Sequence, residues 1–132
     1  MKSMTKEWLN LAKDDLDACK QLLHIKHLTN VVSFHAQQAV EKTLKAVIEE
    51  YHTVLVKTHN LESLYECVKS YGVVISDVDL LGKLDNLYID SRYPSDTGLL
   101  PYGKPTVEDA QEFYSFAEKT HRQVKAILME RT

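Results

Sequence analysis

The chain has 132 residues, the length of one domain, and its 44% hydrophobic content is ordinary for a soluble globular protein. A net charge of -3 argues against broad nucleic-acid binding. The sequence has no apolar run of about 20 residues that could cross a bilayer and no signal-peptide core, so we expect one cytoplasmic domain over residues 1–132. Cys19 and Cys67 lack metal-ligand spacing, and we expect reduced, structural cysteines.

The first half of the chain predicts two long helices, because apolar residues recur three and four positions apart. Helix 1 is expected over about residues 4–25, with the inward positions Trp8, Leu11, Ala12, Leu16, Cys19, Leu22 and Leu23. Helix 2 is expected over about residues 30–51, with Thr29 or Asn30 as its cap. Its inward positions are Val32, Ala36, Val40, Leu44, Val47 and Tyr51.

Two shorter helices follow. Helix 3 is expected over about residues 60–71, ended by Gly72. Helix 4 is expected over about residues 77–92, because Pro94 forbids its continuation. The inward positions of helix 4 are Val78, Leu80, Leu81, Leu84, Leu87 and Tyr88. Residues 71–75 are apolar but have no partner strand, so we interpret them as a connector.

The last helix starts at Thr106, where Thr106 and Asp109 resemble a capping box. His121 lies on its apolar stripe, and we expect a hydrogen-bonded core histidine there. All three prolines fall in the stretch 94–105, which predicts a loop. Three long and two shorter helices predict an all-α fold, an antiparallel up-and-down bundle of four to five helices.

Helix 2 carries polar residues beside its apolar stripe, in the segment FHAQQAVEK at 34–42. Gln37 and Glu41 form a polar edge, which should face another polar element because partly buried polar groups need partners. The other side holds His35, Ala39, Lys42 and Ala46. Its two alanines let another backbone approach closely, which makes this side a dimer or partner face. The alternative is a solvated face of good helix formers.

The segment KTHNL at 57–61 opens helix 3. A helix N-terminus offers unpaired N–H groups and the positive end of the helix dipole, so an anion such as a phosphate could bind there beside Lys57 and His59. The alternative is that Thr58 or Asn60 caps the helix.

The segment YIDSRYP at 88–94 ends helix 4. Arg92 can present a bidentate fork to a phosphate, with Tyr93 available to stack on a base. The alternative is that Arg92 complements the helix dipole and pairs with Asp90 or Asp96. No glycine-rich phosphate loop or metal-binding helix motif is present, and the pair His24 and His27 lacks a further ligand nearby. We therefore expect no cofactor and no metal.

Together, these three segments resemble those of small prokaryotic HEPN-domain proteins in order and spacing. The resemblance implies a helical bundle that often forms a homodimer. It further implies nucleotide binding and pairing with a minimal nucleotidyltransferase in a toxin–antitoxin-like two-gene system. On this interpretation Lys57, His59, Arg92 and Tyr93 bind the nucleotide or phosphate.

Other HEPN proteins look like metal-independent endoribonucleases that carry an arginine, four to six spacer residues and a histidine. In that chemistry the arginine stabilises phosphorane charge while the histidine moves a proton. No arginine of this chain is followed by a histidine at that spacing. We therefore expect no catalytic residues and a non-catalytic binding module. One alternative is an atypical endoribonuclease in which Arg92 meets His59 or His35, and another is a purely structural homodimer.

Overall fold

The computed structural model describes residues 1–52, 56–92 and 104–131, without the side chains of residues 90–92. These residues form five α-helices and no strand, so the predicted all-α fold is confirmed. The helices are α1 (Ser3–Leu22), α2 (Thr29–Tyr51), α3 (Leu61–Val68), α4 (Val78–Arg92) and α5 (Val107–Glu130). A 3-10 turn, Lys26–Leu28, precedes α2, and another, Lys69–Tyr71, extends α3.

The four longer helices run in alternating directions. Thr5, near the start of α1, donates a hydrogen bond to Glu50 at the end of α2 (2.9 Å). Cys19, near the end of α1, contacts the carbonyl oxygen of Val32 near the start of α2 (3.5 Å). Helix α4 is likewise antiparallel to α2, and α5 to α1. The residue pairs that fix these directions are Phe34–Tyr88, Gln37–Asp85, Leu9–His121 and His24–Gln111.

Helix α2 is the centre of the bundle, because it packs against each of the other four helices. Of its 23 residues, 13 are buried, so polar side chains as well as the predicted stripe are enclosed. The prediction that Thr29 or Asn30 caps α2 is wrong. The helix already begins at Thr29, and its N-cap residue, Leu28, offers no side-chain acceptor.

The predicted apolar stripes supply most of the core, with two errors. Leu11 and Val78 are 44% and 42% exposed. Leu9 is buried in place of Leu11, because the face of α1 that meets the bundle is centred on Leu9, Ala12 and Leu16. Val78 is the first residue of α4, where the helix is not yet covered.

The connector after α3 satisfies its backbone without a partner strand. Gly72 has φ of +96°, a left-handed conformation that favours glycine. The N–H of Val74 donates to Oε1 of Gln123 (2.6 Å), and its carbonyl accepts from Nε2 of the same amide (3.0 Å). The N–H of Ile75 donates to the hydroxyl of Tyr65 (3.1 Å). The predicted connector is therefore confirmed.

Helix α5 begins as predicted. Thr106 accepts from the backbone of Asp109 and the Asp109 side chain accepts from the backbone of Thr106, which completes the capping box. His121 is buried, with Nε2 3.1 Å from the carbonyl of Leu9, so the predicted core histidine is confirmed. Burial lowers the pKa of His121 below its ordinary value. Among the described helices, none combines the length and apolar character needed to span a membrane.

Candidate functional site

The polar edge of helix 2 faces α4. Gln37 is fully buried, and its Nε2 donates to Oδ1 of Asp85 (3.1 Å) and, at longer range, to Oε1 of Glu41 (3.4 Å). The prediction that Gln37 and Glu41 meet another polar element is therefore confirmed. Asp85 could have been suspected from the sequence, because it lies one turn after the inward Leu81.

Asp85 connects three helices. Its Oδ1 lies at Gln37 of α2, and its Oδ2 accepts from the backbone N–H of Leu61 at the start of α3 (2.9 Å). Burial raises the pKa of Asp85 above its ordinary value, and the nearby carboxylates of Glu41 and Glu62 add to the rise, while its two hydrogen bonds oppose it. Because its two carboxylate oxygens contact α2 and the start of α3, Asp85 of α4 holds α3 against α2 and α4.

Glu41 is the centre of a second contact between α2 and the start of α3. Its Oε2 accepts from Nζ of Lys45 (3.0 Å) and contacts Nδ1 of His59 (3.1 Å). The side chains of Glu41 and Lys45 are 6% and 14% exposed, whereas that of His59 is 71% exposed. We call Glu41, Lys45 and His59 the Glu41 cluster. The carboxylate orients the imidazole by Nδ1 and leaves Nε2 toward solvent.

Two of the first three N–H groups of α3 already have side-chain partners. Oδ1 of Asn60 accepts from the N–H of Ser63 (3.0 Å), and Asp85 accepts from Leu61. The alternative that Asn60 caps this helix is confirmed. An anion at the helix end itself would meet the Asp85 carboxylate. The exposed groups that suit a phosphate here are the side chains of Lys57 and His59, not the helix terminus.

Arg92 ends α4, but its side chain, like the whole of Tyr93, lies outside the described residues. Phe34 and Tyr88 stack with ring centroids 5.3 Å apart, which fixes the level of this part of α4 against α2. His59 contacts α2 about two turns from Phe34, and Arg92 lies one turn beyond Tyr88 in the opposite direction. Seven residues of α2 and four of α4, at 1.5 Å per residue, place Glu41, the contact of His59, and Arg92 about 16–17 Å apart along the bundle. A phosphate site shared by His59 and Arg92 stays a prediction.

The other side of α2 faces α1 of the same chain. Oδ1 of Asp15 lies 2.8 Å from Nδ1 of His35, and its Oδ2 accepts from Nζ of Lys42 (2.7 Å). Ala39 and Ala46 have no exposed surface. The prediction that these alanines face a partner chain is therefore wrong. They do allow a close approach, but the helix that approaches is α1.

Asp15, His35 and Lys42 form what we call the Asp15 cluster. The Asp15 side chain is 9% exposed, while those of His35 and Lys42 keep 28% and 23% exposure. Sequence reasoning missed Asp15, although it lies between the inward Ala12 and Cys19. Only its position on the inward side of helix 1 could have indicated it.

The described residues hold no group of three or more His, Cys, Asp or Glu that could bind a metal. Both cysteines are free. Burial raises the pKa of the Cys19 thiol to about 12, so this group stays protonated and is no nucleophile at neutral pH.

A model of the HEPN domain family matches residues 5–127 of this chain. The chain belongs to the HEPN family. A curated relative from Methanocaldococcus jannaschii, named "Putative toxin MJ1304", is 30% identical over an alignment 138 residues long, gaps included, which covers 96% of this chain and 89% of the relative. The crystal structure of TT1696 from Thermus thermophilus matches with a TM-score of 0.73 and 24% identity, over 96% of this chain and 99% of that one. This structural similarity shows the shared fold.

Two of the three segments that carried the HEPN resemblance meet in space. Segment 34–42 lies on α2 and segment 57–61 leads into α3, and they join through Glu41 and His59. The third segment begins on α4 at Tyr88, which stacks on Phe34 of the first. Lys45, which completes the Glu41 cluster, lies four residues after Glu41, a helical spacing that could have revealed it.

Proposed function

We propose that this chain is a non-catalytic HEPN-type binding module of a toxin–antitoxin-like two-gene system. The module binds a nucleotide or another phosphate group and partners a minimal nucleotidyltransferase. One observation carries the proposal: the HEPN family matches residues 5–127 of a sequence without the Arg-x4–6-His ribonuclease motif. The relative named as a toxin supports the two-gene arrangement.

The Glu41 cluster supports phosphate binding. His59 is held at Nδ1 by a buried carboxylate, so its ring keeps one orientation and Nε2 is the ring nitrogen left to contact an anion. Nζ of Lys45 lies 3.3 Å from the same Nδ1 atom, and Lys57 is exposed two residues earlier. Ammonium and imidazolium groups form short, charge-assisted hydrogen bonds to phosphate oxygens.

Titration calorimetry with ATP, AMP and inorganic phosphate tests nucleotide binding. We expect His59→Gln to weaken the binding by about tenfold, the loss of one charge-assisted hydrogen bond. His24→Gln is the matched control, because His24 is also exposed but lies just beyond the C-terminal end of α1. No heat of binding with any of these ligands, or equal affinity for both variants, would contradict the proposed site. Arg92→Ala tests the predicted contribution from α4.

The partner is tested by the adjacent gene and by co-purification. We expect the neighbouring gene to encode a minimal nucleotidyltransferase and a tagged copy of that protein to retain this chain on a column. A neighbour of unrelated chemistry together with no retained nucleotidyltransferase would overturn this part of the proposal.

The proposal includes a homodimer. Light scattering after size-exclusion chromatography should then give twice the 15.1 kDa of one chain. Because Ala39 and Ala46 are buried against α1, a homodimer must use other surfaces of the bundle. A mass of one chain at high protein concentration would contradict the dimer.

The Glu41 cluster also favours a second candidate function, a metal-independent endoribonuclease of atypical geometry. A carboxylate-oriented His59 can move a proton, and Lys45 can stabilise charge on a phosphorane. Cleavage of RNA in the presence of EDTA, lost in His59→Gln and kept in His24→Gln, would establish this candidate. Intact RNA with the wild-type chain supports the non-catalytic module.

A further inference from the structure

Three carboxylates from three helices meet where α3 begins. Glu41 belongs to α2, Glu62 to the first turn of α3 and Asp85 to α4. Nε2 of Gln37 donates to Asp85 (3.1 Å) and, at longer range, to Glu41 (3.4 Å), so one neutral amide lies between two negative charges. Lys45 binds Glu41 through the other oxygen, Oε2, so this cation is not the partner of Asp85.

The position of Glu62 depends on a glycine of α4. A Cβ at Gly82 would lie 2.6 Å from Oε1 of Glu62, so the carboxylate occupies space that any other residue would fill with its side chain. Gly82 is three residues before Asp85, which places both on one side of α4. Burial is the main cause of the raised pKa of Asp85, and the charges of Glu62 and Glu41 add to it.

Docking of α3 therefore brings negative charges together. The N–H of Leu61, the first residue of α3, donates to Oδ2 of Asp85 (2.9 Å), so this half-buried carboxylate is covered when α3 is in place. Like charges in a partly desolvated position disfavour full ionisation. A neutral Asp85 would relieve the repulsion, and its carbonyl oxygen could still accept from Leu61.

We propose that the docking of α3 onto α2 and α4 is coupled to the uptake of one proton by these three carboxylates, with Asp85 as the group that holds it. The proton comes from water and returns to water when α3 opens. By linkage, a carboxyl whose pKa is higher in the docked state adds stability that is complete below its ordinary pKa and is lost as pH rises through the docked-state value. Mild acid therefore tightens α3, and rising pH loosens it.

A second titratable group faces the same carboxylates. Glu41 contacts His59 in the segment that leads into α3, and an imidazolium would strengthen this contact in the same pH direction. The experiment therefore has to separate Asp85 from His59.

Amide hydrogen exchange, followed by NMR, tests the coupling in the wild-type chain. Between about pH 7.5 and about pH 5, the protection factors of the α3 amides should rise by about fourfold, roughly twofold for each like-charge neighbour of Asp85. Helix α5 is the reference, because burial lowers the pKa of His121 and acid therefore weakens that helix. Protection in α3 that stays constant, or falls together with that of α5, would overturn the proposal.

Two variants assign the proton. Asp85→Asn fixes the neutral form, so the protection of α3 should no longer change with pH. His59→Gln removes the imidazole and should keep the wild-type pH dependence. The reverse pattern, with the dependence lost in His59→Gln and kept in Asp85→Asn, would show that the histidine is the sensor and would overturn the proposal.

Glu62→Gln gives an answer even where Asp85→Asn does not fold. It removes one of the two like-charge neighbours, so about a twofold rise in α3 protection should remain. The interaction of Glu62 with the helix dipole is the same at each pH and cancels in this readout. Glu66→Gln is the matched control, because Glu66 lies on the same helix but pairs with Lys69. An equal rise in the two variants would refute the convergence of the carboxylates.

None of these measurements needs a ligand. Coupling of α3 to a proton can therefore fail while nucleotide binding stands, and nucleotide binding can fail while the coupling stands.

Discussion

Replacing Glu41 by glutamine should destabilise the fold, because the change removes the charge on which Lys45 and His59 converge. A hydrogen bond to a charged group contributes about 1.5–3 kcal/mol to stability, and we use this range for the contact of Glu41 with the nearly buried Lys45. The His59 contact adds less than about 1 kcal/mol, since that ring is mostly exposed and screened by solvent. Burying a neutral amide costs less desolvation free energy than burying a carboxylate. This difference offsets part of the stability lost in Glu41→Gln.

The net expectation is a loss of about 1–3 kcal/mol in the free energy of unfolding. For a chain of this size, each kcal/mol lowers Tm by roughly 4 °C, so Tm should fall by about 4–12 °C. Urea denaturation followed by circular dichroism measures the first quantity, and scanning calorimetry the second.

Glu66→Gln is the control for Glu41→Gln, because Glu66 also pairs with a lysine on a helix but is 65% exposed. We expect this variant to unfold like the wild type, as exposed pairs contribute little. If Glu41→Gln were as stable as the control, the Glu41 cluster would not hold α3 to α2, and the reasoning would be refuted.

Three further substitutions test the packing, a backbone conformation and a buried histidine. Phe113→Ala should cost about 3–5 kcal/mol, because the ring is fully buried; a urea series showing under about 1 kcal/mol would contradict its core role. Gly72→Ala should cost about 1–2 kcal/mol, because φ is +96° and a Cβ would lie 3.2 Å from Arg131; an unchanged unfolding midpoint would contradict this. Burial lowers the pKa of His121, so its contribution to stability is complete above the ordinary pKa and is lost as pH falls below it. The wild type should therefore lose more stability than His121→Gln between about pH 7.5 and about pH 5, and parallel losses would refute this assignment.

The fold was largely predictable from the sequence, because helix periodicity and helix ends are local signals. Gly72 and the capping box at Thr106 marked ends that the structure confirms. The failures have a physical pattern. Leu11 fits the periodicity of helix 1 yet remains exposed, because which part of a wide apolar face is covered depends on where the neighbouring helices lie.

The candidate site was predictable only in part. Gln37 and Glu41 were expected to have polar partners, but their spacing could not identify Asp85, which lies 48 residues from Gln37 in the chain. Ala39 and Ala46 of α2 correctly indicated a close helix contact, but the expectation that a partner chain makes it was wrong. Small residues permit an approach but do not specify which helix makes it, and here α1 of the same chain does.

The pairing of Gln123 with Val74 has a consequence for how the protein behaves at high concentration. Residues 73–75 read Val-Val-Ile, a β-prone sequence, and Val74 is 69% exposed. An extended apolar segment with unpaired backbone groups can recruit a strand from another molecule and seed aggregation. The amide of Gln123 occupies both the N–H and the carbonyl of Val74, as a neighbouring strand would. The Gln123 side chain of α5 thus blocks the pairing of this connector with a strand from another molecule.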